Sequence, residues 1–390
     1  HTFSDLAGRY MGVWGGFLVS WTYWLCWIVS GTADLIAISG YFQFWWPELS
    51  PGIPVVCTIA VLFLLNTLTV KAFGEAEFWF SMIKIVAILA LIVVGLYLLF
   101  TGHVNPSGTP ARVSNLWAYG GIFPNGFGGF ITGFQIALFA FVGIELVGAA
   151  VGETKDPTES LPKAVNAIPI RVVLFYLGAL SVIMMVTPWN EIVPENSPFV
   201  TMFTFTGLPA AASVINLVVI TAAASSANSG IYSTSRMVYG LANAGAAPKL
   251  FGGLSKRHVP QSALTLSCAF LFTSLILLIF GDSIIGAFTL ATTMAAALFM
   301  VVWGAICWCY IRYRKEEPEK HAQSIFPVPG AAPAAWSVLV FFGLMVIVLL
   351  SAADTAPGII AAIVWVIACS LLGKRFQNRH PEIVWEDTVH

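Results

Sequence analysis

Three ionisable residues stand inside long apolar stretches of this 390-residue sequence: Asp34, Lys84 and Glu145. A charge at bilayer depth is costly, so such residues usually mark ion or substrate paths. Lys84 has two readings. It is either a lysine snorkelling to the headgroups or a buried ammonium that takes up and releases a proton as the path opens to either side. Such an ammonium also stands in for a bound sodium ion. Glu145 lies in the run Phe139–Gly148, between Gly143 and Gly148, in a stretch that also holds Gly126, Gly128, Gly129 and Gly133. Glycines there serve either close helix packing or an unwound break, whose bare carbonyls hold an ammonium and whose half-helix N-termini hold a carboxylate. Beside a break, Glu145 is a natural gate or amine partner. Asp34 either lines a vestibule or makes local contacts with Ser30 and Thr32.

Smaller polar groups give a weaker signal. Ser225, Ser226, Asn228 and Ser229 cluster in one apolar stretch, and Thr289, Thr292 and Thr293 in another. Either set suits helix packing or the lining of a site. No nucleophile sits beside a base, so no enzyme and no catalytic residue is expected. There is no Gly-rich phosphate loop and no basic tract for nucleic acid. His103, His258, His321, His380 and His390 fall in loops or the tail without metal spacing, so neither a metal nor a cofactor is expected. Cys26, Cys57, Cys268, Cys307, Cys309 and Cys369 read as free, packed thiols.

The elements that carry these residues are membrane spans. Hydrophobic residues make up 58% of the chain and charged residues 9%, against about 25% charged in soluble domains. Ten stretches approach the roughly 20 apolar residues that cross a bilayer. They are Gly15–Phe44, Pro54–Phe73, Phe78–Phe100, Phe127–Val151, Ala167–Thr187, Leu208–Leu241, Ser262–Phe280, Ile284–Ile311, Ala334–Ser351 and Gly358–Leu372. Trp45, Trp46, Trp117, Trp189, Trp303 and Trp308 lie near expected span ends, where interfacial aromatics belong. The connectors on one side carry Lys71, Lys155, Lys163, Arg171, Lys249, Lys256, Arg257, Arg312, Arg314, Lys315 and Lys320, and the tail adds Lys374, Arg375 and Arg379. The opposite connectors carry Arg112. The positive-inside rule makes the loaded side cytoplasmic. Both chain ends then fall on that side of an inner membrane, as ten spans require. The whole chain, 1–390, reads as one transmembrane domain with a cytoplasmic tail at 373–390.

Specific strings carry a family resemblance. They are Gly-Phe-Leu-Val-Ser-Trp-Thr-Tyr-Trp-Leu-Cys-Trp (16–27), Phe-Gly-Glu-Ala-Glu-Phe-Trp-Phe-Ser-Met-Ile-Lys (73–84), Phe-Ala-Phe-Val-Gly-Ile-Glu (139–145), Glu-Thr-Lys-Asp-Pro (153–157), Pro-Lys-Ala-Val-Asn (162–166), Ile-Pro-Ile-Arg (168–171) and Ser-Ser-Ala-Asn-Ser-Gly (225–230). Across nearly its whole length the chain resembles the amino-acid–polyamine–organocation permeases, in their bacterial amino-acid transporter branch. Pro-Phe-Val (198–200) and Gly-Leu-Pro-Ala-Ala-Ala-Ser-Val-Ile-Asn (207–216) bring it nearest the D-serine/D-alanine/glycine permeases.

The resemblance implies an all-α, LeuT-like fold of twelve helices in two inverted repeats. The ten spans would be the third to twelfth, and the first two helices, with the first broken helix, would be missing; the chain as it stands is then not expected to transport. It also implies roles. The carbonyls of Phe139, Ala140 and Val142 would take the substrate ammonium at the Gly143 break. Phe139 or Phe141 would close over the substrate, with Glu145 beside the break. Lys84 would couple protons, and Ser225 and Ser226 would lie near the position where relatives bind sodium. Independently of the resemblance, the residues themselves make Asn228, Thr292 and Asp34 candidates for secondary polar lining. The expected partners are a small amino acid, protons and the lipid bilayer. The expected function is proton-coupled import of small neutral amino acids. A permease for γ-aminobutyrate, proline or aromatic amino acids, or a sensor that binds without transporting, are the alternatives. Substrate chirality and oligomeric state are not legible.

Overall fold

A computed structural model of the chain describes residues 2–67, 70–151, 156–324 and 326–380. Residues 153–155 of the quoted strings, Lys155 among them, and 381–390 of the expected tail lie outside the described residues. The described residues are mostly helical, joined by turns and loops, with a lone bridge pair between Val104 and Pro110 and no strand among them.

The helices run in chain order as α1 (Thr2–Met11), α2 (Val13–Phe42), α3 (Gly52–Asn66), α4 (Val70–Phe100), α5 (Gly126–Thr132), α6 (Phe134–Ala140), α7 (Leu146–Val151) and α8 (Pro157–Arg171). One π-helical segment, Val172–Leu177, joins α8 to α9 (Gly178–Val186). Then come α10 (Pro198–Thr204), α11 (Pro209–Asn243), α12 (Gln261–Leu271), α13 (Thr273–Phe280), α14 (Ile284–Glu316), α15 (Pro318–Ala322), α16 (Ala331–Ser351) and α17 (Ala356–Arg379). Eight helical stretches are long and apolar enough to cross a membrane, and Gly52–Asn66 and Gly126–Ala140 are shorter apolar helices. The protein is a multi-pass membrane protein of all-α class.

α2 is the central post. It packs against α11 and α14, with α1 and α17 at its flanks. Its interior residues include Trp24, Leu35, Ile36 and Ile38. Around the post lie helices whose apolar side chains point outward, such as Phe78, Val86, Val93 and Tyr97 on α4 and Val340, Leu344 and Ile347 on α16. In water that exposure would be unfavourable, but acyl chains are as apolar as these side chains. Ser283 starts α14 by accepting the Gly286 N–H at 2.9 Å, which satisfies one donor of the first turn.

Three expectations are corrected. α4 begins at Val70 rather than Phe78, so Lys84 is the fifteenth residue of a 31-residue helix. Trp303 is not at a span end but inside α14, where it is a hydrogen-bond donor in the core. Cys57 is exposed and Cys307 half-buried, so these two thiols are not packed in the interior.

Two close approaches fix the packing. A Cβ on Gly95 of α4 would stand 2.7 Å from Val182 Cβ of α9. Gly95→Ala therefore has to push the two helices apart, because a β-branched neighbour cannot swing away. We expect a loss of about 1–3 kcal/mol, read as a lower unfolding midpoint in detergent; an unchanged midpoint would mean the contact is slack. At the other end, α1 is fastened to the end of α14. Arg9 and Tyr10 donate to Glu317 Oε1 at 2.7 and 2.8 Å, and Lys320 pairs with Oε2.

Candidate functional site

The helix that carries Glu145 is interrupted. α6 stops at Ala140 and α7 starts at Leu146, with turns between. Gly143 takes φ 94°, a left-handed conformation that glycine adopts without a Cβ clash. The N–H groups of Phe141, Val142, Ile144 and Leu146 donate to the carbonyls three residues back, at 3.1–3.2 Å. The ordinary four-residue ladder is therefore replaced by three-residue turns through this stretch. The tip of the Trp27 ring fills the hollow that Gly143 leaves, 3.6 Å from where a Cβ would be.

Glu145 folds back onto the break. Its Oε2 accepts the Gly143 N–H at 3.1 Å and the Trp303 indole N–H at 3.2 Å, and its Oε1 accepts the Tyr23 hydroxyl at 3.0 Å. The residue is 8% exposed. A buried carboxylate is tolerated only where donors surround it, and here they come from α2, α14 and its own segment. The carboxylate thus fixes the start of α7 against both long helices.

The first half-helix is held from the other side. Tyr176 donates its hydroxyl to the Ala140 carbonyl at 2.7 Å, and its ring meets Phe141 edge-on. Tyr176 sits on the π-helical segment. Pro169, three residues upstream, has no N–H to give the ladder, and an extra residue per turn follows. Phe139 instead faces the core, edge-on to Phe288. Gln135 of α6 donates to Thr292 of α14 at 3.0 Å.

A second cluster joins α2, α3, α4 and α11. Lys84 donates to Ser225 Oγ at 2.9 Å, and Ser225 donates to Glu77 Oε1 at 2.7 Å. The carboxylate of Asp34 lies close to Ser226 and within the electrostatic reach of Lys84. Asn66 donates to Asn228 Oδ1 at 2.7 Å. Glu77 Oε2 is buried without a hydrogen-bond partner. Lys84 therefore points at a facing helix rather than up to the membrane surface. Asp34 makes its contact to α11; Thr32 bonds to Ile28 and Thr273 instead.

The expected residues thus fall into two groups. Phe139, Ala140, Phe141, Val142, Gly143, Glu145 and Thr292 belong to the break. Lys84, Ser225, Ser226, Asn228 and Asp34 belong to the second cluster. The sequence reading missed Tyr23, Trp303, Tyr176, Gln135, Glu77 and Asn66. Glu77 had a usable signal: it lies seven residues before Lys84, on the same face of α4. Tyr23 and Trp303 had none, because an aromatic residue in a span looks the same whether its polar tip meets headgroups or a carboxylate.

A sequence profile described as Amino acid permease matches residues 2–374. The chain is 52% identical over 378 residues to the "D-serine/D-alanine/glycine transporter" of Escherichia coli K12, covering 96% of this chain and 80% of that protein. It is 43% identical to "Amino-acid permease AapA" of Bacillus subtilis, over 96% of this chain and 80% of the relative. To "Aromatic amino acid transport protein AroP" of Escherichia coli K12 it is 35% identical, over 98% of this chain and 82% of the relative.

Proposed function

Because the chain belongs to the amino acid permease family, we propose that it imports small neutral amino acids together with protons, with D-serine, D-alanine and glycine as substrates. The observation that carries this reading is the helix broken at Gly143, where the four-residue ladder gives way to turns at the depth where a zwitterion must be held. The carbonyls around Phe139, Ala140 and Val142 take the ammonium, and Phe139 closes the site from the core side. Glu145 keeps the break open by holding its backbone. The substrate assignment is supported by the 52% identity to the D-serine/D-alanine/glycine transporter.

On this reading the eight helical stretches long and apolar enough to cross a membrane are joined by the shorter α3 and α5–α6 as ten crossings. They correspond to the family's third to twelfth spans, and the basic connectors put both ends in the cytoplasm. Lys84 couples the proton. Its ammonium is desolvated to different extents as one bundle rocks against the rest, so protonation biases which side opens.

Uptake by the complete gene product in vesicles with an imposed pH gradient tests this. Glycine and both enantiomers of serine and alanine are offered as competitors, with γ-aminobutyrate, proline and tryptophan beside them. Glycine, D-serine and D-alanine should compete best. Competition by γ-aminobutyrate, proline or tryptophan alone would reassign the substrate. Binding without uptake would make the protein a sensor, and uptake blind to the gradient would remove the proton.

A further inference from the structure

The connector between α11 and α12, residues 244–260, carries Lys249, Lys256, Arg257 and His258 and no acidic residue. Its last turn is tightly tied. Ser255 N–H donates to the Val259 carbonyl at 2.9 Å, His258 N–H to the Ser255 carbonyl at 2.9 Å, and Val259 N–H to Ser255 Oγ at 3.2 Å. Closing the turn holds His258 at φ 59°, a conformation that persists in a non-glycine residue only when its surroundings impose it. Val259 and Pro260 are buried beneath, and Lys256 and Arg257 are presented side by side. Arg257 reaches back to the Thr67 carbonyl at the end of α3, at 3.4 Å. A cavity of about 280 Å³ opens there, lined by Thr67, Ser255, Lys256, Arg257, Val259 and Gln261.

An ammonium, a guanidinium, hydroxyls and an amide around one cavity are the donors a phosphate needs. The same connector exposes Leu250 at 72% and Leu254 at 46%. Leucines beside lysines at the ends of membrane helices fit a surface with acyl chains below and anionic headgroups above. A soluble polyanion would leave those leucines in water. We infer that this cavity holds the phosphate of an anionic phospholipid in the cytoplasmic leaflet, with Leu250 and Leu254 set into the acyl boundary. This rests on the orientation proposed above.

The test is native mass spectrometry of the complete gene product, titrated in one detergent with dioleoyl-phosphatidylglycerol or dioleoyl-phosphatidylcholine. The anionic lipid should bind roughly 30-fold more tightly, as two basic contacts predict. The double variant Lys256→Gln/Arg257→Gln should reduce that preference to about its absence, whereas Lys374→Gln on α17 should keep it. A preference unchanged in the double variant overturns the site. Loss of the lipid in millimolar inorganic phosphate overturns the lipid assignment in favour of a free anion. Orientation is read separately, from labelling of Lys249→Cys by a membrane-impermeant maleimide on intact cells. Labelling above the parent protein would overturn the leaflet, and its absence leaves the titration as a test of the cavity alone.

Discussion

Lys84→Ala should leave substrate exchange running while accumulation driven by a pH gradient falls to the outside concentration. One proton carried down 100 mV of driving force is worth about 2.3 kcal/mol, or roughly 50-fold accumulation, and the variant should lose that whole factor. The sharper comparison is Lys84→Arg. A guanidinium keeps the positive charge among Asp34, Glu77 and Ser225 but does not give up its proton. A structural role for Lys84 predicts that Lys84→Arg accumulates substrate nearly as the parent does. The coupling role predicts exchange without accumulation in both variants. Accumulation preserved in Lys84→Ala would take this residue out of the mechanism altogether.

Glu145→Ala should be more damaging to the fold. It strands the Gly143 N–H, the Tyr23 hydroxyl and the Trp303 indole N–H together. Each buried donor left unpaired costs about 1–3 kcal/mol, so a loss on the order of 4 kcal/mol is expected, with uptake abolished. Glu145→Gln keeps one accepting oxygen and should lose about half as much. The unfolding midpoint in detergent measures both, and a Tyr23→Phe/Glu145→Gln cycle isolates their pairwise part. If Glu145→Ala unfolds at the parent's temperature, the carboxylate is not what holds the break.

The fold was readable because the bilayer imposes it. Long apolar runs read as spans, and the glycines around Gly143, flanked by an acid, offered a broken helix as one of two readings. The candidate site was readable only in part. Lys84 and Glu145 are conspicuous because charge is rare at that depth. Their partners are ordinary membrane residues: Ser225, Tyr23, Trp303 and Tyr176 each have a bland role in a span, and only helix packing decides otherwise. Asp34 shows the same limit. Its neighbours in sequence suggested Ser30 and Thr32, but the groups it lies close to, Ser226 and Lys84, are on other helices. The π-helical segment was invisible too, since Pro169 permits several local repairs.

The fastening of α1 to α14 separates two kinds of environmental response. Glu317 lies at the helix end, and its hydrogen bonds from Lys320 and Tyr10, with Arg9 nearby, hold its carboxyl below the usual range. Burial, with the bond to Glu317, pushes the Tyr10 phenol up. A lowered carboxylate contributes its attraction at all pH values above its unfolded range and loses it only as pH falls through the lowered value. At physiological acidity this clasp is therefore fully charged and insensitive to protons. It is sensitive to ionic strength, because exposed charges are screened over about 8 Å at physiological salt. Salt thus acts on the chain at its surface clasp, where a change of acidity near neutrality does not.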